Sequence, residues 1–451
     1  MKRVFLFFVI MACFIVLCSA CGGDDDDDND NNDNNDNTVD DDTVDDDTTP
    51  ADDDDDDNDT GPTRSFYLSA APMYYEMGEW AVTTVFDMTG FDGLIDLVSV
   101  HTDGFFGLPW TEFAAGQQPP EAWVAVMEDI RQQIDDLGAG VFLSLTALDG
   151  LRGGLTPLAY EEGGELIIES ETQYPCFNFN TSPDAASMRT AYLNYVRWMV
   201  DFFEPTYLNN MIEMNMYYNN CPDAYASLID LINDVYDQEK AINPDLIIFP
   251  SFTMQDYWSF GEGGECEIGD PTCLYESIER DADIKRDRFG ISSYPLFMQW
   301  EWETIPDDFY SAVGEVTGEQ SVFAEIGWGS QDVILPFPTL EDPCFTLLTS
   351  SDADQIAFLD YLFNEAQDMN CDLIVWWSLR DFLPGHVLDN CPCSSPGLWC
   401  VLYDAMYDMG MLGAWLMWGA MGVMDYDFNP KPSMEIWQEW LARPVSNVSD
   451  Q

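Results

Sequence analysis

The chain has 451 residues and carries 84 acidic against 15 basic side chains, a net charge of −69 at pH 7. From Arg64 onward there are still 63 acidic and 13 basic residues. Nucleic-acid binding depends on Lys and Arg at phosphates, so this charge argues against a nucleic-acid partner. Anionic polymers would be repelled as well, which favours a neutral ligand.

The first residues have the layout of an export signal. Lys2 and Arg3 precede an apolar run, residues 4–17, that is too short to cross a bilayer comfortably. The following stretch LCSAC resembles a lipoprotein cleavage site, with Cys18 where Leu is usual. We expect residues 1–20 to be a lipoprotein signal peptide, with Cys21 lipidated and anchored in the bacterial cell envelope, at the outer membrane or cell surface. An ordinary secretory signal is the alternative.

A low-complexity segment follows. From residue 24 to residue 59 the chain is almost entirely Asp, Asn and Thr. Such a segment buries too little apolar surface to offset the entropy lost on ordering. Residues 21–63 are therefore predicted to be a disordered acidic linker.

The body contains nine cysteines after Cys21. In an exported protein they predict disulfides with one thiol left over, and Cys266 with Cys273 is the expected local pair. Zinc is not predicted, because Cys391, Cys393 and Cys400 lack a second cysteine pair at the spacing of a zinc site.

Residues 64–445 are predicted to form one domain. Eight short apolar runs recur at 66–72, 95–101, 140–146, 207–213, 246–252, 289–295, 321–327 and 372–378. Segments with helical periodicity separate several of them, at 121–137, 186–203, 224–242 and 352–369. This alternation predicts an α/β fold, a (β/α)8 TIM barrel. An open doubly wound sheet is the alternative, although the Gly-rich turn usual after its first strand is missing.

Carboxylates and aromatics dominate the chemistry of the body. The chain has two histidines, too few for a three-histidine zinc site, and no motif for Ser-His-Asp hydrolysis; we predict no cofactor and no metal. Glu213 and Glu325 end the fourth and seventh apolar runs. In a barrel both would reach the mouth at the carboxyl ends of the strands. Two carboxylates about 5 Å apart are the machinery of retaining glycoside hydrolysis. The alternative is that each glutamate is a buried structural partner of an Arg or a Tyr.

Several motifs then resemble glycoside hydrolase clan A. They are the glutamate of strand four, SSYP on strand six, FAEIGW on strand seven, VWWSLRDF on strand eight, and GVMDYDFNPKPSMEIWQEW. Within the clan the chain is most similar to the arabinogalactan endo-β-1,4-galactanases, whose sixth strand also ends in Tyr-Pro. The resemblance runs motif by motif through residues 66–442.

The resemblance implies a role for each matched residue. Glu213 would be the acid/base, Glu325 the nucleophile, and Tyr294 a hydrogen-bond donor to the nucleophile. Trp376 or Trp377 would stack under the sugar at the cleavage point. The clan usually has Asn before the acid/base, where this chain has Ile212.

Three further residues complete the predicted site. Asn215 stands two residues after Glu213, so in a strand both side chains would point to the same face. We predict that Asn215 substitutes for the missing Asn. His101, at the end of the second run, is placed to bind a sugar hydroxyl, although a structural histidine is an equal alternative. Trp328 follows strand seven and offers an aromatic face to a sugar ring.

The sequence therefore predicts an exported O-glycosyl hydrolase, retaining and clan A-like, that acts as a monomer on a neutral β-linked polysaccharide or oligosaccharide. The alternative is a non-catalytic carbohydrate-binding or surface-structural barrel lipoprotein, which Ile212 favours.

Overall fold

The computed structural model describes residues 62–77, 82–102, 106–169, 174–261, 264–266, 271–298, 304–306, 308–336, 344–389, 391, 393, 397–408 and 412–446. The predicted signal peptide, Cys21 and nearly all of the acidic linker lie outside these residues. No helix within the described ranges is long and apolar enough to span a membrane.

Eight parallel strands form the centre of the body. They are β1 (Tyr67–Ala70), β2 (Leu97–His101), β3 (Gly140–Ser144), β4 (Tyr207–Asn209), β5 (Ile247–Phe249 and Ser251–Thr253), β6 (Phe289–Ser293), β7 (Ser321–Ile326) and β8 (Leu373–Trp376). Each pairs with the next along the chain, and β8 pairs with β1. The predicted (β/α)8 barrel is confirmed.

The ring closes through β5, which is interrupted at Pro250. Its first half, Ile247–Phe249, pairs with β4, and its second half, Ser251–Thr253, pairs with β6. Proline has no N–H to donate, so it cannot take part fully in a strand ladder. The interruption therefore divides one strand into two segments that each serve a different neighbour.

Seven helices surround the strands: α1 (Glu121–Leu137), α2 (Ala185–Phe203), α3 (Pro222–Ile242), α4 (Thr272–Arg280), α5 (Ser311–Thr317), α6 (Asp352–Asp368) and α7 (Met434–Leu441). The first of them follows β2. Between β1 and β2 an antiparallel hairpin, Met73–Met77 with Val82–Phe86, occupies the place of a helix. A β-hairpin thus takes the place of the helix that would follow β1 in a regular (β/α)8 barrel.

The helix α1 illustrates how the local sequence sets these elements. Its buried residues are Trp123, Met127, Ile130 and Ile134, which share one face at helical spacing. Gly138 ends the helix with a φ of 68°, a left-handed conformation that glycine adopts without strain.

Shorter elements lie in the connections. The short helices are Trp110–Ala114, Asn215–Asn220, Met254–Ser259, Gly385–Leu388, Leu398–Asp408 and Leu412–Gly419, with a 3₁₀ turn at Pro295–Met298. The further hairpins are Ala159–Glu162 with Glu165–Ile168, Phe260–Gly261 with Gly264–Glu265, and Val333–Pro336 with Cys344–Leu348.

The barrel interior changes from apolar to polar along the strands. Its apolar part is a separate cluster: Leu97, Phe142, Tyr207, Phe249, Val322, Ala324, Leu373 and Val375. Further along the strands, Asn209 donates to Ser144 Oγ and to Ser251 Oγ, each over 3.0 Å. Polar groups inside a protein must be paired, so this small network forms the floor under the carboxyl ends of the strands.

Disulfides brace the loops. They join Cys176 to Cys221, Cys266 to Cys273, Cys344 to Cys391 and Cys393 to Cys400, and Cys371 is a buried thiol. The predicted pattern of disulfides with one cysteine left over, including the local pair Cys266 and Cys273, is present.

The two ends of the body meet beside β1. Arg64 forms a parallel bridge with Val445, and its backbone N–H donates to Pro444 O over 3.0 Å. The buried Arg64 guanidinium also binds both carboxylate oxygens of Asp96, over 2.6 and 2.8 Å. This bidentate pair holds the entry of β1 against the segment that leads into β2.

Candidate active site

Glu325 points into the barrel because of a bulge in β7. Ile291 pairs with Phe323, but the next residue of β6, Ser292, pairs with Glu325 rather than with Ala324. An extra residue in one strand re-aims the side chains that follow it. Ala324 belongs to the interior cluster, and the bulge turns Glu325 toward the same interior one residue later.

Both carboxylate oxygens of Glu325 have neighbours at the barrel mouth. Tyr294, the residue after β6, donates its hydroxyl to Glu325 Oε1. His101 Nε2 lies 3.9 Å from Oε2. The Glu325 side chain is 5% exposed, so these contacts act where water screens little. The carboxylate is thus held in one orientation by two side chains from other strands.

Trp377 forms a wall next to His101. The His101 and Trp377 ring centroids are 4.8 Å apart in an edge-on arrangement, and Trp377 stacks on Phe382 with centroids 5.7 Å apart. An indole fixed in this way beside His101 can offer a flat apolar face to a ligand ring.

Glu213 lies in a turn and not at the end of a strand, which corrects the expected strand boundary. β4 ends at Asn209, four residues earlier, and Glu213 has a φ of 48°. This left-handed conformation is uncommon for a residue other than glycine. Its backbone N–H donates to Ser251 Oγ over 2.9 Å, so β5 supports the turn.

The carboxylate of Glu213 is fully buried and has a donor on each oxygen. Ser292 Oγ donates to Oε1 over 2.8 Å, and Arg152 Nη2 donates to Oε2 over 3.0 Å. Neither side chain of the Arg152 and Glu213 pair is exposed. A guanidinium at this distance favours the charged form of the carboxyl group.

Ser292 brings the two glutamates into one site. Its hydroxyl binds Glu213, and its backbone stands opposite Glu325 in the register of β6 and β7. Neighbouring strands are about 4.8 Å apart. Glu213 and Glu325 therefore lie on two sides of the same serine, which is the relationship that a shared site requires.

A third carboxyl group lies close by. Asp256 belongs to the short helix after β5 and accepts a 2.9 Å hydrogen bond from Asn219 Nδ2. Burial, and then the negative charge of Glu213, raises the pKa of Asp256 to about 7. Asp256 is thus poised to change its protonation near neutral pH, although nothing in the sequence pattern had singled it out.

Three of the expected site residues make other contacts. Asn215 begins a short helix, and its side-chain amide is bonded at both ends to the backbone of Thr253. Trp376 is fully buried and donates to Met421 O over 2.8 Å. Trp328 stacks on Phe358 and donates to Ser350 Oγ over 3.0 Å.

These contacts bear on the predicted roles. Of the two candidate tryptophans on strand eight, Trp377 is the one beside His101, whereas Trp376 packs toward the helices. Nothing in the contacts above joins Asn215 or Trp328 to either glutamate, and their roles at a ligand stay predictions.

Sequence reasoning did not single out Arg152 or Ser292. Ser292 belongs to the SSYP motif, in which a role in the site was predicted for Tyr294 alone. Arg152 lies in the loop after β3 and is followed by Gly153 and Gly154. The body has few basic residues, so an arginine next to two glycines in such a loop was the signal in the sequence that pointed to it.

Metal ligands are not assembled in this region. Within the described ranges, no group of three His, Cys, Asp or Glu side chains is placed to hold a metal ion. The site consists of carboxylates, a phenol, an imidazole, a guanidinium and an indole, which suit proton transfer and nucleophilic attack.

Comparison with known proteins gives fold-level likenesses of low identity. No protein-family model and no curated protein matches the chain. Among solved structures, a Ruminococcus gnavus β-glucuronidase in complex with C6-substituted uronic isofagomine has 11% identity and a TM-score of 0.43, covering 84% of this chain and 50% of that chain.

Two further solved structures have similar figures. Lactobacillus rhamnosus β-glucuronidase has 12% identity and a TM-score of 0.43, covering 84% of this chain and 50% of that chain. An FMN-binding β-glucuronidase from Facaelibacterium prausnitzii L2-6 has 11% identity and a TM-score of 0.43, covering 86% of this chain and 45% of that chain. The chain spans about half the length of these structures.

Proposed function

We propose that the protein is an exported, lipid-anchored glycoside hydrolase that cleaves a neutral β-linked polysaccharide or oligosaccharide with retention of configuration. The observation that carries the proposal is the Tyr294 hydroxyl bonded to Glu325, with Ser292 joining that glutamate to Glu213. A pair of carboxyl groups at the carboxyl end of a barrel is the arrangement that this reaction uses.

In the first step Glu325 attacks the anomeric carbon, and the bond from that carbon to the leaving oxygen breaks. Glu213, in its protonated form, gives its proton to that oxygen, and a covalent glycosyl-enzyme forms. In the second step Glu213 takes a proton from water, the water oxygen attacks the anomeric carbon, and Glu325 is released as a carboxylate. Tyr294 orients the attacking oxygen, and Trp377 lies under the sugar ring.

The charge of the body supports a neutral substrate. Arg152, the cation described above at the two glutamates, already binds Glu213. Lys431, in the segment before α7, binds Asp381, in the loop after β8, over 2.6 Å. A uronate would bring a further negative charge into a site with three carboxyl groups, which costs free energy unless a cation meets it.

A second candidate function is a carbohydrate-binding barrel without turnover. The observation that favours it is the complete burial of Glu213 together with its ion pair to Arg152, which restrains a general acid. In that case Trp377 and His101 would still contact a sugar, but no bond would break.

One screen separates the two functions. Purified protein is incubated at acidic and at neutral pH with neutral β-glycans, among them β-1,4-galactan and arabinogalactan, and reducing ends are measured beside binding by calorimetry. Release that disappears in Glu325→Gln, a variant of nearly equal volume, supports the hydrolase. Binding without release on every glycan supports the second candidate, and neither binding nor release contradicts both.

A further inference from the structure

We propose that Arg152 holds Glu213 as a carboxylate in the resting protein, so that at neutral pH only glycosides whose leaving groups depart without a proton are cleaved. The glycan itself is cleaved at acidic pH, where Glu213 carries a proton. The inference rests on the proposed function and adds how the activity of the same site depends on pH and on the leaving group of the substrate. It makes Arg152 a positioning residue that limits the first step of the reaction.

The ion pair is fully desolvated. Arg152 Nη2 lies 3.0 Å from Glu213 Oε2, and neither side chain is exposed. Removing one partner of such a pair typically costs about 3–5 kcal/mol, because the other charge is left uncompensated. The charged pair is therefore the stable state, and a proton on Glu213 has to compete with it.

The loop that carries Arg152, residues 149–156, fixes the guanidinium in place. Arg152 has a φ of 52°, and its Nη1 donates to Asp149 O over 2.8 Å. Gly153 N donates to Asp149 Oδ1 over 2.8 Å, and Asn220 Nδ2 donates to Leu151 O over 2.8 Å. The backbone is thus hydrogen-bonded at Leu151 and at Gly153, the two neighbours of Arg152, and this holds the arginine side chain in reach of Glu213.

The loop is also connected to the segment that carries Glu213 through Cys176. Cys176 N donates to Gly153 O over 2.8 Å, next to Arg152. Cys176 is bonded to Cys221, which directly follows the short helix Asn215–Asn220, and that helix begins two residues after Glu213. A hydrogen bond and a disulfide in series therefore connect the two segments that supply the ion pair.

Two neighbours of Glu213 act on its charge in opposite directions. Ser292 is neutral and donates to Oε1, which favours the carboxylate. Asp256 repels a charged Glu213, and burial and then that charge raise the pKa of Asp256 to about 7, so the repulsion is weaker below neutral pH. Glu325 lies on the other side of Ser292, where it contacts Tyr294 and His101.

The chemical consequence differs between the two steps. A carboxylate at Glu213 has no proton to give, so in the first step the leaving oxygen departs as an anion, which an acidic phenol can do and a sugar hydroxyl cannot. In the second step the same carboxylate is the base that accepts a proton from the attacking water. Arg152 thus keeps Glu213 in the form that the second step needs and restricts the first step.

The charge of Glu213 can be measured without a substrate. Infrared difference spectra of the full chain and of Glu213→Gln isolate the bands of this one carboxyl group. At pH 7 we expect carboxylate bands and no band of a protonated acid. A protonated Glu213 at pH 7 would overturn the inference whether or not the protein is an enzyme.

The second measurement uses aryl β-glycosides with a series of leaving-group acidities. Wild-type protein at pH 7 should show a steep dependence of kcat/KM on that acidity. In Arg152→Met the poorest leaving groups should gain roughly 10-fold or more relative to the best, because general acid catalysis is worth 10²–10⁴-fold. Arg152→Lys should keep the wild-type dependence, and Arg189→Met, which removes an exposed pair with Asp234, is the matched control.

The outcomes are distinguishable from those of the proposed function. An unchanged leaving-group dependence in Arg152→Met overturns the inference while leaving the hydrolase intact. Absence of cleavage of every aryl glycoside contradicts the hydrolase, and the infrared spectra then still decide the charge of Glu213. If Arg152→Met does not fold, Arg152→Lys and the infrared result on the wild-type chain decide the question.

Discussion

Ser292 Oγ donates a 2.8 Å hydrogen bond to Glu213 Oε1. Because Ser292 also stands opposite Glu325 in the register of β6 and β7, a single serine connects the residues proposed as acid/base and nucleophile. Glu213 lies in a turn and Glu325 in a strand, and the two are 112 residues apart along the chain. Their meeting at Ser292 is the basis of the predictions that follow.

Replacing Glu325 by Ala should abolish formation of the glycosyl-enzyme and lower kcat by roughly 10⁴-fold or more. Azide, a small anion that fits the vacated space, should restore turnover with inverted stereochemistry. Product configuration is read by NMR. The matched control is Glu319→Ala, which removes a glutamate paired with Arg286 just before β7. Turnover in Glu325→Ala near the wild-type rate, without azide, would exclude Glu325 as the nucleophile.

Replacing Tyr294 by Phe should lower kcat by about 10- to 100-fold with little change in the free energy of unfolding. The hydroxyl orients the attacking oxygen of Glu325, and Phe keeps the ring in place. Tyr236→Phe is the control, since it removes a hydroxyl that donates to Asp287 over 2.8 Å. Equal effects of the two substitutions on kcat would show that the Tyr294 hydroxyl has no special role.

Replacing Asp256 by Asn should change how stability depends on pH. The pKa of Asp256 is raised to about 7 in the folded protein, above its unfolded value, so the folded state holds a proton that the unfolded state releases. Stability should therefore fall as pH rises through this window, by about 1–3 kcal/mol between pH 4 and 8.

The measurement is urea unfolding at several pH values. Asp256→Asn should remove that part of the decline and be more stable than the wild type at pH 8, whereas the control Asp360→Asn, at an exposed position of α6, should keep the wild-type profile. A wild-type stability that rises between pH 5 and 7 and is unaffected by Asp256→Asn would be incompatible with the raised pKa.

Replacing Cys21 by Ser should release the protein from the membrane fraction while leaving its fold unchanged, because the lipid would be attached to that thiol. Fractionation followed by circular dichroism checks both parts. Cys371→Ser serves as a control, since that cysteine is a buried thiol in the body. Retention of Cys21→Ser in the membrane would contradict the lipid anchor.

The barrel strands could be predicted because each one is a short apolar run bounded by polar turns. The helix over 121–137 was also predicted with its observed limits, since its buried residues repeat at helical spacing and Gly138 ends it. Patterns of this kind are local. A strand buried on both faces is a continuous apolar run, and a helix buried on one face has apolar residues at helical spacing, so each can be recognised within a few residues of sequence.

The details of the site are not local, and the sequence could not supply them. The bulge that aims Glu325 inward exists only in the pairing of β7 with β6. The ion pair of Glu213 joins residues 61 positions apart, and no spacing rule relates a loop arginine to a distant turn. The left-handed backbone at Glu213 and Arg152 likewise results from tertiary contacts and not from residue type.

The bridge between Arg64 and Val445 has a practical consequence for engineering. Both ends of the body lie together beside the amino end of β1, whereas the carboxylates lie at the carboxyl ends of the strands. A short peptide linking these ends would therefore allow a circular permutant whose new termini open the exposed glycine turn at Gly163 and Gly164. Fusion partners or labels joined at the natural ends of the body would attach to the face of the barrel away from the mouth.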